Sequence, residues 1–260
     1  MIMPKAIRIL LVSIIYLFIL GPILIITPIS FTENMFQLDF SSLTLKNYQS
    51  LFSDSNLLNS LWLTFIIAII ATFAASIIGI FGSLGIVKGQ IKYSKVLENL
   101  FLGPLIIPYV TTGIGLMVFF VKLELLGTVT GIILAHIIII SPYIIRICIA
   151  SLKQMNPFIE EAAIVHGAST FYMFRTVVLP QLLPATLIGG LLAFLVSIDE
   201  YTVTVFLADA DTITLPIKIF QYINLDINPI VTALSTAIVI VSIIIILISE
   251  KFFKIHQYIE

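Results

Sequence analysis

Apolar and polar positions in this chain fall into long blocks rather than alternating residue by residue. Six stretches carry no charged side chain: 24 residues over 9–32, 33 over 55–87, 23 over 99–121, 21 over 125–145, 23 over 176–198 and 23 over 227–249. A helix rises about 1.5 Å per residue and needs roughly 20 apolar residues to cross the hydrocarbon core, so each stretch suffices for one crossing. The pattern predicts an all-α polytopic membrane protein, a single transmembrane domain over 1–260 with six spans at 7–29, 61–87, 100–121, 129–150, 184–206 and 229–249. An outer segment, 30–59, mixes Phe36, Leu38, Leu43, Tyr48 and Phe52 with polar residues and is expected on the membrane surface or under a partner. The connection 151–183 is the longest and least apolar on the other side.

The spans differ in character. Ala68, Ala71, Ala74, Ala75, Gly79 and Gly82 recur at three- and four-residue spacing along the second, which would let a neighbouring helix approach closely. Trp62 stands where an interfacial anchor belongs. The third carries Pro104, Pro108, Gly113 and Gly115, so its backbone is expected to be irregular and covered by protein or water. The first follows Lys5 and Arg8 like a signal peptide, but the apolar run is too long and lacks a small-x-small cleavage pattern, so it is predicted to stay as a span.

Charge sets the orientation. With the N-terminus inside, ten Lys and Arg fall on the cytoplasmic side, including Lys88, Lys92, Lys95, Arg146, Lys153, Arg175 and Lys254, against Lys46, Lys122 and Lys218 outside. That bias predicts both termini in the cytoplasm. Only 10% of residues are charged and mean hydropathy is +1.17, which excludes an ordinary soluble domain. The one cysteine, Cys148, excludes an internal disulfide or a cysteine metal cluster. No Gly-x-x-x-x-Gly-Lys-Ser/Thr stretch occurs, so the chain is not expected to be an enzyme or to hydrolyse ATP alone.

Within 151–183, Asn156-Pro157 signals a helix start, and Glu160 and Glu161 fall in the first turn, where the dipole favours carboxylates. Ala162 and Ala163 keep one face low. Gly167 permits a left-handed stop, a second short helix carries Phe171, Tyr172, Phe174 and Arg175, and Leu179-Pro180 is expected to end it before the fifth span. The bland alternative is an amphipathic surface helix.

The run EAAIVHGASTFYMFRTVVLP, 161–180, resembles the EAA loop of permease subunits of bacterial type I ABC importers, with Val177 in place of the usual Ile. TLKNYQSLF (44–52), LLNSLWLTF (57–65), FLVSIDEYTVTVFLADADTITLPIKIF (194–220) and Asp226-x-x-Pro229 are similar to the spermidine/putrescine permease subfamily, in its shorter-chain type. The resemblance implies the MetI-like permease fold in a bacterial cytoplasmic (inner) membrane. It implies a second permease as heterodimer partner, two ATPase subunits, an external substrate-binding protein, and no nucleic acid. Glu160, Glu161, Ala162, Ala163, Gly167, Leu179 and Pro180 carry over as ATPase-coupling positions. No cofactor is expected on this chain, ATP and Mg being held by the ATPase.

Asp199 and Glu200 are the expensive residues, because a carboxylate in the bilayer needs water, a counter-charge or a cation. Neighbouring helix positions point about 100° apart, so one of the pair can face a pathway while the other meets a backbone amide or the partner. With Tyr201 nearby they could pass an organic polycation along; the alternative is a hydrated span end. His136 is expected to bond a neighbouring carbonyl. The importer could equally serve thiamine, iron or a sulfonate, since an EAA loop contacts the ATPase and not the cargo. An ion-coupled secondary transporter is the reading from another class.

Overall fold

The computed structural model describes residues 5–33, 43–226 and 229–253. Residues 34–42, with Phe36, Leu38 and Asp39, the two residues inside Asp226-x-x-Pro229, and the chain end with Lys254 lie outside the described residues. Among the described residues every regular element is helical. In order they are α1 (Lys5–Ile29), α2 (Lys46–Ser53), α3 (Ser55–Lys88), α4 (Ser94–Leu102) with a 3-10 turn Gly103–Leu105, α5 (Tyr109–Lys122), α6 (Val129–Gln154) and α7 (Pro157–Val165). There follow α8 (Thr170–Met173), a π turn Phe174–Val178, α9 (Leu179–Asp199), α10 (Thr204–Leu207), α11 (Leu215–Gln221), a second π turn Tyr222–Asp226, and α12 (Ile230–Phe253). Among the described residues, four helical runs are long and apolar enough to cross a membrane: α1 from Ile7, α3, α6, and Thr170–Asp199, which contains α9.

Two expected spans take a different form. The third is not one helix over 100–121: Ser94–Leu105 and Tyr109–Lys122 qualify for a crossing only together, and they meet at 98°. Pro104 enters the 3-10 turn, and Pro108 holds the N-cap of α5 with ψ 132°. A proline ring removes a donor and crowds the residue before it, and Pro108 is itself extended, so the apolar run cannot stay straight there. The fifth begins earlier and ends earlier than 184–206. Leu179-Pro180 does not stop the preceding helix; the π turn Phe174–Val178 leads straight into α9. Pro180 sits in the first turn of α9, where a missing amide is tolerated, and the wider π register absorbs the ring. The helix ends at Asp199 because Glu200 turns extended, at φ −72° and ψ 106°.

Residues 59–218 form one compact unit. Its centre is the α6–α9 pair, which is extensively packed. Ile132, Ala135, Ile139, Ile144 and Cys148 of α6 are buried together with Leu182 and Ala193 of α9 and Ala71 and Ala75 of α3. Where lipid competes equally for apolar side chains, such contacts depend on close backbone approach. Gly189 provides it: a Cβ there would stand 3.1 Å from the Ile144 Cα. The small row of the second span is the surface that packs, with Ala68, Ala71 and Ala75 fully buried.

Residues 5–33, 43–58 and 219–253, as far as described, belong to the other unit. There α12 packs against α1 and α2. The end of α1 is tied to α2 by polar contacts: Asn47 Nδ2 donates to the Ser30 and Thr32 carbonyls at 3.1 and 2.8 Å, and the Tyr48 and Ser30 hydroxyls bond at 2.7 Å. The Tyr222 hydroxyl donates to Asp54, whose other oxygen accepts from the Asn56 and Leu57 amides at the start of α3. The outer segment is therefore, where described, a folded element rather than a linker.

Candidate coupling loop and acidic turn

The α7–α8 loop is built from local rules. Asn156 Oδ1 accepts from the Phe158 amide at 3.0 Å, and Pro157 occupies the first helical position, where its missing N–H would have no partner anyway. At the far end Gly167 adopts φ +80°. The Gly167 amide reaches the Ile164 carbonyl at 2.9 Å and the Ala168 amide reaches the Ala163 carbonyl at 3.0 Å. That pair of bonds is the Schellman arrangement, which satisfies the last carbonyls of a helix and requires a left-handed residue at its hinge. Ser169 then caps α8 through the Tyr172 amide at 3.3 Å.

The two glutamates of the loop have different surroundings. Glu160 points back into the unit and forms an ion pair with Lys88 at the end of α3, with both side chains largely covered. Glu161 is exposed, as is Ala162, while Ala163 is half-buried. The roughly 100° step between neighbours on a helix accounts for this split. Lys88 is a residue that sequence reasoning missed as part of this site, since 72 positions separate it from Glu160. A second pair, Lys153 with Glu98 at 3.3 Å, ties α6 to α4.

The outward face is apolar. Phe158 is 70% exposed, Val165 84% and Phe171 72%, with Tyr172 and Ile164 beside them in sequence. An open groove of about 520 Å³ is lined by Ala163, His166, Gly167, Ala168, Tyr172 and Val177, among others. Phe174 turns the other way and packs on Phe81, ring centres 6.2 Å apart. Leu179 is half-buried and Pro180 exposed at the base of α9.

The ion pair makes a testable claim about how this loop is held. Lys88→Glu and Glu160→Lys should each destabilise the isolated protein by about 1–2 kcal/mol, because each leaves like charges facing one another at a partly covered site. The double exchange should recover most of the loss. Thermal midpoints of the four purified proteins check it; an additive double variant would mean that the pair does not anchor α7.

The acidic pair lies at the C-terminal end of α9. Asp199 is exposed, whereas Glu200 is only 6% exposed. Glu200 Oε1 accepts from the Val203 amide at 2.7 Å, closing a turn into α10. Of the two, Glu200 is thus the one that meets a backbone amide. Tyr201 is half-buried. Gly113 of α5 packs against this turn, where a Cβ would come within 3.2 Å of the Val203 Cα. Behind the turn His136 of α6 bonds two hydroxyls rather than the expected carbonyl: Nδ1 with Ser197 Oγ at 2.7 Å and Nε2 with Thr204 Oγ1 at 2.9 Å. Nothing in the spacing 197–204 alone announces that contact. Among the described residues no three His, Cys, Asp or Glu side chains gather to hold a metal ion.

The protein is similar to known transport proteins over most of its length. The putrescine transport system permease protein PotI of Escherichia coli (strain K12) is 29% identical over 231 residues, covering 86% of this chain and 82% of that protein. The spermidine/putrescine transport system permease protein PotC of the same organism is 25% identical over 236 residues, covering 91% and 89%. A bacterial ABC transporter involved in the import of the acidic polysaccharide alginate shares the fold with a TM-score of 0.72 at 19% identity, over 97% of this chain and 99% of that one. The family model described as binding-protein-dependent transport system inner membrane component matches residues 82–257, which include the loop with its Schellman turn and the acidic turn after α9. With that match spanning more than half of its length, the chain belongs to the inner membrane components of binding-protein-dependent transport systems.

Proposed function

We propose that this chain is one permease of an ATP-driven importer that carries polyamines, spermidine or putrescine, into a bacterial cytoplasm. It crosses the membrane six times with both termini inside. A second permease completes the pathway, and an external binding protein delivers the cargo. Two ATPase subunits bind ATP and Mg and dock below; this chain does no catalysis of its own.

The observation that carries the permease role is the α7–α8 loop. Exposed Phe158, Val165 and Phe171 on a stretch with positive-inside flanks need a protein partner to cover them, because no hydrocarbon reaches that side. Glu161 and Ala162 face outward for that partner, while Glu160 holds α7 to Lys88. Gly167 sets the turn between the two helices. Motion of the ATPase passes through α8 and the π turn into Leu179, Pro180 and α9, since those segments form one helical run. At the other end of that run stands Asp199. The partial negative charge of a helix C-terminus and a carboxylate both favour a cation there, and Tyr201 adds an aromatic face.

The cargo rests on the two polyamine permeases that the chain resembles over most of its length. The fold does not select it, because the alginate transporter shares that fold. Uptake of labelled putrescine and spermidine in a strain lacking this gene, with and without the wild-type copy, tests the assignment. Rescue with either amine supports it. Rescue with neither, in cells that still assemble the complex, moves the same machinery to another solute.

A further inference from the structure

His136 is a buried histidine in the interior of α6, and neither the loop nor the acidic pair explains why it is there. It is 2% exposed, and its partners are equally covered: Ser197 is 1% exposed and Thr204 is fully buried. The ring bridges two elements. Ser197 lies in α9 two residues before Asp199, and Thr204 opens α10 four residues after Glu200. The contacts are consistent with one direction of donation. With the Thr204 hydroxyl donating to the Glu200 carbonyl at 3.1 Å, its oxygen accepts from Nε2 of the ring. A neutral ring then accepts at Nδ1 from the Ser197 hydroxyl. Ser197, His136, Thr204 and the Glu200 carbonyl form one directed series in which every donor is used.

That series closes the turn from both sides. Helix α9 ends at Asp199, and the last carbonyls of a helix lack partners within it. One such group, the Glu200 carbonyl, is satisfied by Thr204, and the Glu200 carboxylate is consumed by the Val203 amide. Asp199 is the exposed acid of a turn whose two ends are fixed to α6 through a single imidazole. We infer that His136 is a positioning residue for the Asp199 carboxylate: it clamps the 197–204 turn to α6 so that Asp199 is held at a fixed place for a passing organic cation. This rests on the reading of Asp199 as a pathway residue given above. A site of this kind depends on the groups that lock its neighbours as much as on the charge itself.

The test uses the assembled transporter, its ATPase and binding protein included, reconstituted in vesicles, with labelled putrescine as the probe. His136→Leu keeps the volume and removes both bonds, and should lower uptake roughly tenfold, within the range of coupling between residues of one hydrogen-bond network. His136→Gln, which can still accept and donate, should retain most of the activity. Ser197→Ala and Thr204→Val, which each delete one hydroxyl, should reproduce a smaller loss and keep the test open if His136→Leu fails to assemble. The decisive comparison is the Asp199→Asn background. There His136→Leu should lower uptake by less than about twofold further, because the clamp has no carboxylate left to place. An equal loss in both backgrounds would make His136 merely structural and overturn the inference, as would normal uptake in His136→Leu. Unchanged uptake in Asp199→Asn would instead remove the pathway reading on which the inference rests.

Discussion

Gly167→Leu is expected to reduce uptake at least about tenfold while the protein still inserts and the two permeases still assemble. The left-handed region disfavours an L side chain by about 1–2 kcal/mol, and Gly167 sits at φ +80°. Apart from its chain neighbours, no atom of the described residues lies within 4 Å of a Cβ built there, so the substitution meets no clash among them. Its effect comes from two sources outside packing. The Schellman bonds to Ile164 and Ala163 lose the residue that makes them possible, so α7 has no local stop. The leucine side chain also enters the groove between α7 and α8, where the ATPase is proposed to sit. Gly167→Asn separates the two, because asparagine tolerates the left-handed region better and should keep more activity. Co-purification of the ATPase and labelled uptake, read together, check the prediction; normal uptake with leucine would remove the coupling role from this turn.

The second large effect divides two adjacent acids that the sequence alone left open. Asp199→Asn is expected to cut polycation uptake by one to two orders of magnitude without lowering thermal stability, because Asp199 is exposed at the end of its helix. That range corresponds to about 1.4–2.7 kcal/mol of lost attraction. Glu200→Gln should be nearly silent in both assays: a glutamine oxygen still accepts from the Val203 amide, and the buried position no longer holds a charge. Glu200→Leu should lower stability by about 1–3 kcal/mol, since it leaves that buried amide without a partner. Uptake and thermal midpoints of the three variants decide the matter. Loss of transport in Glu200→Gln with normal transport in Asp199→Asn would reverse the two roles.

Much of the architecture was legible because membrane helices answer to a simple rule of length and apolarity. The loop after α6 was legible for a different reason. Asn156-Pro157, Gly167 and the small residues between them act within one or two turns of themselves, so their neighbours in sequence are their neighbours in space. The bent third span shows the limit. Pro104 and Pro108 announced irregularity, but hydropathy is blind to direction and could not show that α4 and α5 meet at 98°. Leu179-Pro180 suggests a stop because proline usually ends a helix, but the π turn before it supplies a register in which the ring fits. The contacts of Lys88 with Glu160 and of His136 with Ser197 and Thr204 were out of reach, since each joins residues more than 60 positions apart. Local pattern reveals which residues carry chemistry, and only the packed helices reveal which of them hold the others in place.

In the proposed transporter the α7–α8 loop delivers the work of ATP hydrolysis to a path for a cation. Putrescine uptake into vesicles holding the complete transporter, with ATP inside and all ion gradients collapsed, tests it most directly. Uptake is expected to require hydrolysable ATP, to survive the collapse, and to fall at least about tenfold with Gly167→Leu. Uptake that follows an imposed ion gradient and ignores ATP would contradict it.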